Sequence, residues 1–499
     1  MLNRVRGRTK PWDVVVIGGG STGVGCALDA ATRGLRVLLL EQHDFGKGTS
    51  SRSTKLVHGG VRYLEQGNLS LVREALIERG LLLRNAPHHV TKQSFIIPCY
   101  SRFQKLYYGL GLKFYDLLSG KYSFGKSRFL SRPETLEKLP NIEGENLAGG
   151  VVYFDGQFDD ARFLIDLVKT AAKYDATVLN YARVCSLSKT PQQKLKGVSF
   201  ECVESGELFT VEAKTVINAT GAFCDDVRKL SDSNSEKLIL PSQGIHLVFD
   251  SSFLAGRDAI MIPKTSDGRV LFVIPWNDKT LVGTTDTPIE NPVLEPKPIS
   301  EEIEFVLNTC KSYLAKPPTF NDVLSVFAGI RPLVKSGAAV NTASLSRDHT
   351  IEIDNSGLIT ITGGKWTTYR RMAEDGVNKA VGLGGLPGIA SSTKSLKIET
   401  TSLTETSDIA FADPDSSKKI HPEFIYLGAD VVNAVRNEMA RTVEDVLARR
   451  TRFLFLDANL AIEVSPKVAA IMAKELGESG EWVDSQIRDF KRVAENYLA

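Results

Sequence analysis

The chain has 499 residues, of which 42% are hydrophobic and 24% are charged, and its formal net charge is +2. This balance is typical of a folded protein of several domains and does not favour nucleic acid as a partner. Six cysteines are scattered without a C-x-x-C pair, which favours a reducing compartment and predicts no metal centre. There is no run of 18 apolar residues and no secretory signal, so we expect no membrane-spanning helix.

The first predicted unit is a strand, a helix and a second strand. Val14–Ile17 form an apolar, β-branched run, Gly18, Gly20 and Gly23 follow as G-x-G-x-x-G, and the second strand ends at Glu41. Glycines at this spacing let the backbone approach a pyrophosphate at the start of the helix, and an acid at that strand end accepts hydrogen bonds from ribose hydroxyls. The pattern predicts a dinucleotide-binding β-α-β unit.

A polar segment follows, from Gly48 to Glu65, with five hydroxyl residues, a lysine, a histidine and the glycine pair Gly59 and Gly60. Hydroxyl and backbone N–H groups here can hold pyrophosphate and ribityl oxygens, and adjacent glycines let the backbone lie against a flat ring. A polar loop with a helix cap is the alternative interpretation. The spacing of apolar residues then predicts a helix over 68–83.

The segment from Ser101 to Arg132 combines seven basic residues and eight aromatic residues with one acid. This composition is typical of a segment at a membrane interface, with Tyr107, Tyr108, Phe114 and Tyr115 as its anchors. A solvated helical hairpin packed on the core is the alternative.

Strands and helices alternate through the middle of the chain. A buried strand over 211–218 runs into the small-residue turn Ala219–Gly221, and the stretches 243–249 and 270–285 are predicted to be rich in strands. A strand, a glycine turn and a helix recur over 357–376. Ser391 to Lys418 is rich in serine and threonine, which predicts a linker or mobile segment, and the remaining residues are helical.

Several of these stretches together resemble the FAD-dependent glycerol-3-phosphate dehydrogenases, nearer the aerobic than the anaerobic type. The matching stretches are IGGGSTGVGCALDAATRG, TSSRSTKLVHGGVRYLE, DGQFDDAR, VINATG, GRVLFVIPW, GTTDTP, GIRPL and GGKWTTYRRMA. The resemblance implies an α/β fold (α+β over the whole chain) with a glutathione-reductase-type, Rossmann-like FAD-binding domain, an antiparallel-sheet substrate domain and an all-helical C-terminal domain.

The expected FAD-binding domain is discontinuous and comprises 11–90, 150–235 and 325–388. The substrate domain comprises 91–149 and 236–324, including the membrane-facing candidate 101–132. Residues 389–418 form the expected linker, and 419–499 form the helical domain.

The resemblance also implies a reaction and partners. Glycerol 3-phosphate is oxidised to dihydroxyacetone phosphate by hydride transfer to non-covalent FAD, and the electrons pass to a membrane quinone. We therefore expect peripheral attachment to an anionic membrane surface, at the cytoplasmic face of the inner or plasma membrane, and the family pattern allows a homodimer.

The expected cofactor contacts come from the glycine turn, the polar loop and two later turns. They are Gly18, Gly20, Gly23, Glu41, Thr49, Ser50, Thr54, Lys55, His58, Gly59, Val184, Ala219, Thr220, Gly221, Gly364, Lys365, Trp366 and Thr367.

The expected substrate contacts are arginines, because a guanidinium fork suits phosphate. Arg331 and Arg347 match family positions for the phosphate, while Arg62 and Tyr63 are expected nearer the flavin, orienting the substrate hydroxyls.

The expected catalytic groups are His246 as the base, with His58 as the second candidate, Arg62 beside the flavin, and Lys365 as a positive charge near it. Two other classes stay open. One is an oxidase of the same fold, acting on glycerol 3-phosphate, an amino acid or a hydroxy acid with oxygen as the acceptor. The other is a non-catalytic flavin-bound surface protein.

Overall fold

A computed structural model describes residues 1–65, 67–335, 348–400, 403–412 and 416–499. Its strands, in chain order, are β1 Trp12–Ile17, β2 Val37–Leu40, β3 Leu56–Val57, β4 Val90–Cys99, β5 Arg128–Leu130, β6 Gly149–Phe158, β7 Thr177–Leu179, β8 Ala182–Lys189, β9 Leu195–Cys202, β10 Leu208–Asn218, β11 Ile239–Asp250, β12 Ala259–Ile262, β13 Leu271–Trp276, β14 Lys279–Gly283, β15 Thr287–Pro288, β16 Ser325–Val334, β17 His349–Ile353 and β18 Leu358–Gly363.

The helices cover the faces of the sheets and make up the C-terminal region. They are α1 Leu2–Arg6, α2 Ser21–Thr32, α3 Val61–Glu65, α4 Leu69–Asn85, α5 Arg102–Ser119, α6 Arg132–Lys138, α7 Asp160–Lys173, α8 Cys224–Ser231, α9 Ser300–Tyr313, α10 Tyr369–Leu383, α11 Leu403–Ala412, α12 Gly428–Asn437, α13 Phe453–Leu456, α14 Ala458–Leu476 and α15 Gly480–Ala494. A π-helical turn, Asp445–Arg450, precedes α13.

The first sheet is a parallel sheet in the order β18-β10-β1-β2-β7, extended by β17, which is antiparallel to β18. β8 and β9 form an antiparallel extension beside the first half of β10. Val14, Val15 and Val16 of β1 are fully buried because α2 and its neighbours cover one face and the extension covers the other. A buried parallel sheet with helical crossovers is the predicted Rossmann-like architecture.

The second sheet is mostly antiparallel, in the order β15-β11-β14-β13-β12-β4-β6-β3, with β16 paired to β11 and β5 to β6. β4 and β12 are its parallel pair. The expected boundaries place β3, β6 and β16 in the FAD-binding domain, and in the structure these three strands pair within the second sheet. The amphipathic pattern of a strand does not indicate which sheet the strand joins.

The C-terminal helices pack directly on the second sheet. Phe453–Leu456 and the buried face of α14 share one apolar cluster with Phe327 of β16 and Trp276 of β13. The Ser325 hydroxyl donates to the Leu454 carbonyl at 2.9 Å, which ties the sheet to α13. The predicted helical domain is therefore one wall of the same core.

The segment expected to be a linker is anchored where the structure describes it. Ile398 donates its N–H to the Asn85 carbonyl at 3.0 Å, and Thr393 is buried beside Arg370 of α10, which donates to its hydroxyl at 3.2 Å. Further on, 403–412 is helical. The hydroxyls of Ser391 and Thr393 donate to the carboxylate of Asp29 on α2, which ties this part of the segment to the first domain.

The segment from Ser101 to Arg132 is the long helix α5, a short turn and β5. One face of α5 packs against the protein, where Tyr115 is buried and donates to the Asp155 carboxylate at 3.0 Å. Tyr115 is thus not an interface anchor, whereas Tyr107 and Phe114 are exposed. Among the described helices, none is long and apolar enough to cross a bilayer.

Candidate active site

A cavity of about 510 Å³ lies where the two sheets meet. Its walls come from the glycine turn after β1, the polar loop after β2, the turns after β10 and β18, and the inner ends of β11 and β16. Fifteen of the eighteen expected cofactor residues line it, namely Gly18, Gly20, Glu41, Thr49, Ser50, Thr54, His58, Val184, Ala219, Thr220, Gly221, Gly364, Lys365, Trp366 and Thr367.

The glycine turn brings backbone close to backbone as a dinucleotide cradle requires. Gly18 has φ +107°, and a Cβ on it would lie 2.7 Å from the Ala219 carbonyl oxygen. A Cβ on Gly23 would lie 1.9 Å from the Gly18 carbonyl oxygen. Gly23 therefore does not line the cavity but lets α2 pack on the turn, so that the start of this helix faces the cavity.

Glu41 stands at the end of β2, where the unit predicted a ribose acceptor. Its carboxylate accepts the N–H groups of Gly19 at 2.6 Å and His43 at 2.8 Å and still faces the cavity. Burial raises the pKa of Glu41 above its ordinary value, while the two N–H groups oppose that shift. The backbone bonds hold the carboxylate oxygens in one orientation for a further donor.

The opposite wall is the turn after β18. Gly363 and Gly364 have positive φ, and Trp366 donates its indole N–H to the Ser50 carbonyl at 2.8 Å, which locks this turn to the polar loop. Lys365 lines the cavity, with its ammonium 3.8 Å from the centre of the Tyr63 ring. Tyr63 itself does not line the cavity.

Two further residues of the expected cofactor set lie behind the wall. Lys55 is completely buried, and its ammonium pairs with Asp160 at 2.7 Å and donates to the Ser51 carbonyl at 2.7 Å. Its contacts are therefore structural, which corrects the expectation of a cofactor contact. Gly59 also faces away from the cavity, because a Cβ there would meet the Tyr115 hydroxyl at 2.3 Å.

His246, the expected base, lies on β11 and lines the cavity. Its ring stacks on Phe327 with centroids 4.9 Å apart, and its Nε2 is 2.9 Å from the Thr54 hydroxyl. Within the described part of the chain, its buried Nδ1 has no hydrogen-bond partner. Burial, followed by the charges of Lys55 and Arg331, holds the pKa of His246 well below its ordinary value, so the imidazole is neutral at pH 7.

Arg331, the expected phosphate ligand, enters the same cavity from β16. Its guanidinium donates to the Thr284 hydroxyl at 3.0 Å and the Thr285 carbonyl at 2.9 Å, and it lies 3.5 Å from the Asp286 carboxylate. Sequence reasoning missed Asp286 as its partner, although the residue stands in the GTTDTP stretch that carried part of the resemblance.

The side chains of two expected substrate-binding residues are not described by the structure. Arg347 lies outside the described residues, and Arg62 lies in α3, but its side chain is not among those described. His58 lines the cavity, and its backbone N–H donates to the Thr367 hydroxyl at 3.1 Å.

These residues fit FAD. The cradle that a Cβ on Gly18 would fill, the oriented Glu41 carboxylate and the hydroxyl-lined loop around Ser50 suit the adenosine and pyrophosphate. Gly364–Thr367 and His58 form the wall beside His246 and Arg331, where the reacting part of the cofactor would lie.

Comparison with known proteins supports this assignment at two levels. Residues 13–370 match the model of the FAD dependent oxidoreductase family, and residues 401–483 match that of the C-terminal domain of alpha-glycerophosphate oxidase. The fold and cavity thus define an FAD-dependent oxidoreductase.

The particular family follows from whole-chain relatives. The mitochondrial glycerol-3-phosphate dehydrogenase of Rattus norvegicus is 40% identical over 94% of this chain and 71% of its own length. The Homo sapiens enzyme is 38% identical over 98% of this chain and 73% of its own. The X-ray structure of glycerol-3-phosphate dehydrogenase from Bacillus halodurans, complexed with FAD, has a TM-score of 0.81 and 28% identity, covering 98% of this chain and 96% of that one. The chain belongs to the FAD-dependent glycerol-3-phosphate dehydrogenase family.

Replacing the acid at the end of β2 tests the cofactor site. Glu41→Ala should weaken FAD binding by about 1–3 kcal/mol, because ribose hydroxyls and the Gly19 N–H lose a buried acceptor. FAD titration of the apoprotein measures the change, with the exposed Glu212→Ala on β10 as control. Equal affinity in both variants would contradict the role of Glu41.

Acid denaturation should also release the flavin, and colour retained on the chain would contradict non-covalent binding.

Proposed function

We infer that this protein oxidises sn-glycerol 3-phosphate to dihydroxyacetone phosphate as an FAD-dependent dehydrogenase. The observation that carries this inference is the meeting of Arg331 and His246 in one cavity with the FAD-binding residues, in a chain of this family. The cavity offers an anion ligand and a neutral base, the two groups that oxidation of a phosphorylated secondary alcohol needs from the protein.

In this proposal Arg331 binds the phosphate, because Arg52, the other arginine among the described residues around the cavity, is already paired with Glu295 at 2.7 Å. The Thr285 carbonyl and Thr284 hydroxyl fix the plane of the fork, so little orientational freedom is lost on binding. The Asp286 carboxylate neutralises part of the charge of Arg331 while no substrate is bound. Arg347, Arg62 and Tyr63 stay predicted contributors to substrate binding.

His246 is proposed to take the hydroxyl proton. Its Nε2 lies 2.9 Å from the hydroxyl of Thr54, which also lines the cavity, whereas its Nδ1 is buried. The Phe327 ring holds the imidazole plane. When bound, FAD supplies the hydride acceptor. Lys365 is proposed to place its charge on the wall of the cavity, near that acceptor, and His58 is the alternative base.

Attachment to a lipid surface is the second part of the proposal, and α5 supports it. Six apolar or aromatic side chains at helical spacing lie on its outer face and are 41–77% exposed: Phe103, Leu106, Tyr107, Leu110, Phe114 and Leu117. A contiguous apolar stripe on a soluble surface is typical of a binding face. The exposed Arg102, Lys113 and Lys121 border it, which favours an anionic bilayer over an uncharged apolar partner.

We further propose that this surface lies at the cytoplasmic face of the inner or plasma membrane and that a membrane quinone receives the electrons. A quinone is confined to the bilayer, so a face that enters the headgroup region brings the protein to its acceptor. A homodimer stays a prediction.

Removing the phosphate ligand tests substrate assignment. Arg331→Ala should lower kcat/KM for glycerol 3-phosphate by at least about 2 kcal/mol of charge-assisted binding, while any activity on glycerol changes much less. The exposed Arg257→Ala on the same domain is the control. Steady-state kinetics on both substrates measure the ratio, and an unchanged ratio would remove Arg331 from the phosphate site.

Replacing the base tests the proton transfer. His246→Asn should slow flavin bleaching by substrate by roughly 10²–10⁴-fold. In the wild type the rate should fall at acid pH as the imidazole becomes protonated, and since its pKa is lowered, this limb should lie below the ordinary histidine range. Stopped-flow pH profiles should show the limb missing from the variant. A wild-type profile in His246→Asn would transfer the role to His58 or to solvent.

Two triple variants of α5 and its turn test membrane attachment. They are Lys105→Glu with Lys113→Glu and Lys121→Glu, and Leu106→Ser with Leu110→Ser and Leu117→Ser. Both should reduce flotation with anionic liposomes, because each basic group contributes about 1 kcal/mol and the stripe supplies the apolar contact. Salt should weaken wild-type flotation without abolishing it, since only the electrostatic part is screened.

The matched control for charge reversal is Arg488→Glu with Lys491→Glu and Arg492→Glu on the exposed face of α15. This control should float like the wild type, and all variants should keep flavin bleaching by substrate. Wild-type flotation of both α5 variants would support the solvated hairpin instead. Rapid peroxide formation by the wild type would favour the oxidase alternative.

A further inference from the structure

A cluster of three metal-ligating side chains lies outside the active site, on the back of the first domain. His88 and His89 occupy the turn between α4 and β4, and Asp166 projects from α7. One ligand atom from each lies within 4.8 Å of the others. From this cluster the geometry points to a binding site for a divalent transition-metal ion of the zinc class, held by His88, His89 and Asp166.

The donor set and its spacing support the assignment. Two imidazoles and one carboxylate suit zinc, cobalt or nickel and do not suit the oxygen-seeking magnesium and calcium ions. Ligands at about 2.0–2.2 Å around a tetrahedral ion stand roughly 3.3 Å apart. His89 Nε2 is 2.7 Å from Asp166 Oδ2, so the distance between these two atoms must increase by less than 1 Å on metal binding. The ligand nitrogen of His88 must move toward them by a little more than that. Side-chain rotation alone covers such shifts.

The cluster is open to a metal ion from solvent, and neighbouring groups hold its side chains. Asp166 is buried, His89 is partly buried and His88 is exposed, so the cluster opens to solvent on one side and is anchored on the other. The backbone of Glu399 hydrogen-bonds to the His88 ring, and Arg162 Nη2 lies 3.8 Å from Asp166 Oδ1. Bonds to backbone and charged groups around the ligands are the outer-shell contacts that orient metal-binding side chains.

The cluster adjoins the cofactor cavity through two aromatic rings. His89 lies 5.5 Å from Phe163, centroid to centroid, and Phe163 lies 5.3 Å from Trp366, which lines the cavity. A metal ion would also join α7 to the turn before β4. We therefore expect binding to raise the thermal midpoint of the holoenzyme.

Two measurements on the tag-free holoenzyme test the proposal. Calorimetry measures the affinity and stoichiometry during a titration with Zn²⁺, and thermal unfolding with and without Zn²⁺ measures the shift of the midpoint. The wild type should bind one Zn²⁺ per chain at this site, with a raised midpoint. His88→Ala, an exposed change that leaves the buried pair intact, and Asp166→Asn should each weaken binding at least tenfold and remove the midpoint shift. His421→Ala, in the helical domain, should bind like the wild type. Failure of the wild type to bind, or unchanged binding by His88→Ala, would overturn the site and leave a hydrogen-bonded His89–Asp166 pair.

Discussion

A buried carboxylate, Asp44, is the constraint on which the cofactor-binding end of this molecule depends. It lies in the loop after β2, three residues after Glu41, and is completely buried. Arg449 donates to it at 2.5 Å and Arg450 at 2.6 and 2.9 Å, both from the π-helical turn of the C-terminal domain. Isolated, this charge would cost several kcal/mol to bury. The loop that carries Glu41 is therefore held in place by a domain four hundred residues away.

The residue before α13, just after this turn, fixes the second cofactor loop. Arg452 donates to the Ser51 carbonyl at 3.0 Å and to Asp160 at 3.2 Å, and Asp160 also pairs with Lys55. Burial lowers the pKa of Lys55 to about 7, and the carboxylate 2.7 Å away opposes that shift. A cluster of this kind is stable only when complete, because removal of one partner leaves an unpaired buried charge. The helical domain is thus a structural part of the cofactor site.

Sequence reasoning located the elements of the cavity where one local pattern fixes the structure, and the roles of the residues on these elements stay predictions. The glycine turn, Glu41 and the turn around Lys365 were found because strand periodicity, glycines and polar residues fall in register within short stretches. It did not find the ion pairs of Asp44 and Asp160, since nothing local marks an arginine as the partner of a carboxylate hundreds of residues away. Lys55 was misassigned for the same reason, because a lysine in a polar loop reads as a cofactor contact until its partner is known.

Helix α5 shows how one composition can serve two purposes. Its basic and aromatic residues suggested a membrane face, yet Tyr115 points inward and, with Arg79, binds Asp155, which accepts the Gly59 N–H at 3.1 Å. Composition alone does not tell on which side of a helix a residue lies. The position of each residue around the helix axis distinguishes this inner face from the exposed stripe that begins at Phe103. The inner face braces Gly59 of the polar loop, while the outer face carries the exposed stripe that is proposed to contact a lipid surface. Displacement of α5 would therefore reach the polar loop behind the wall of the cavity, which connects the proposed membrane-facing surface mechanically to the cofactor site.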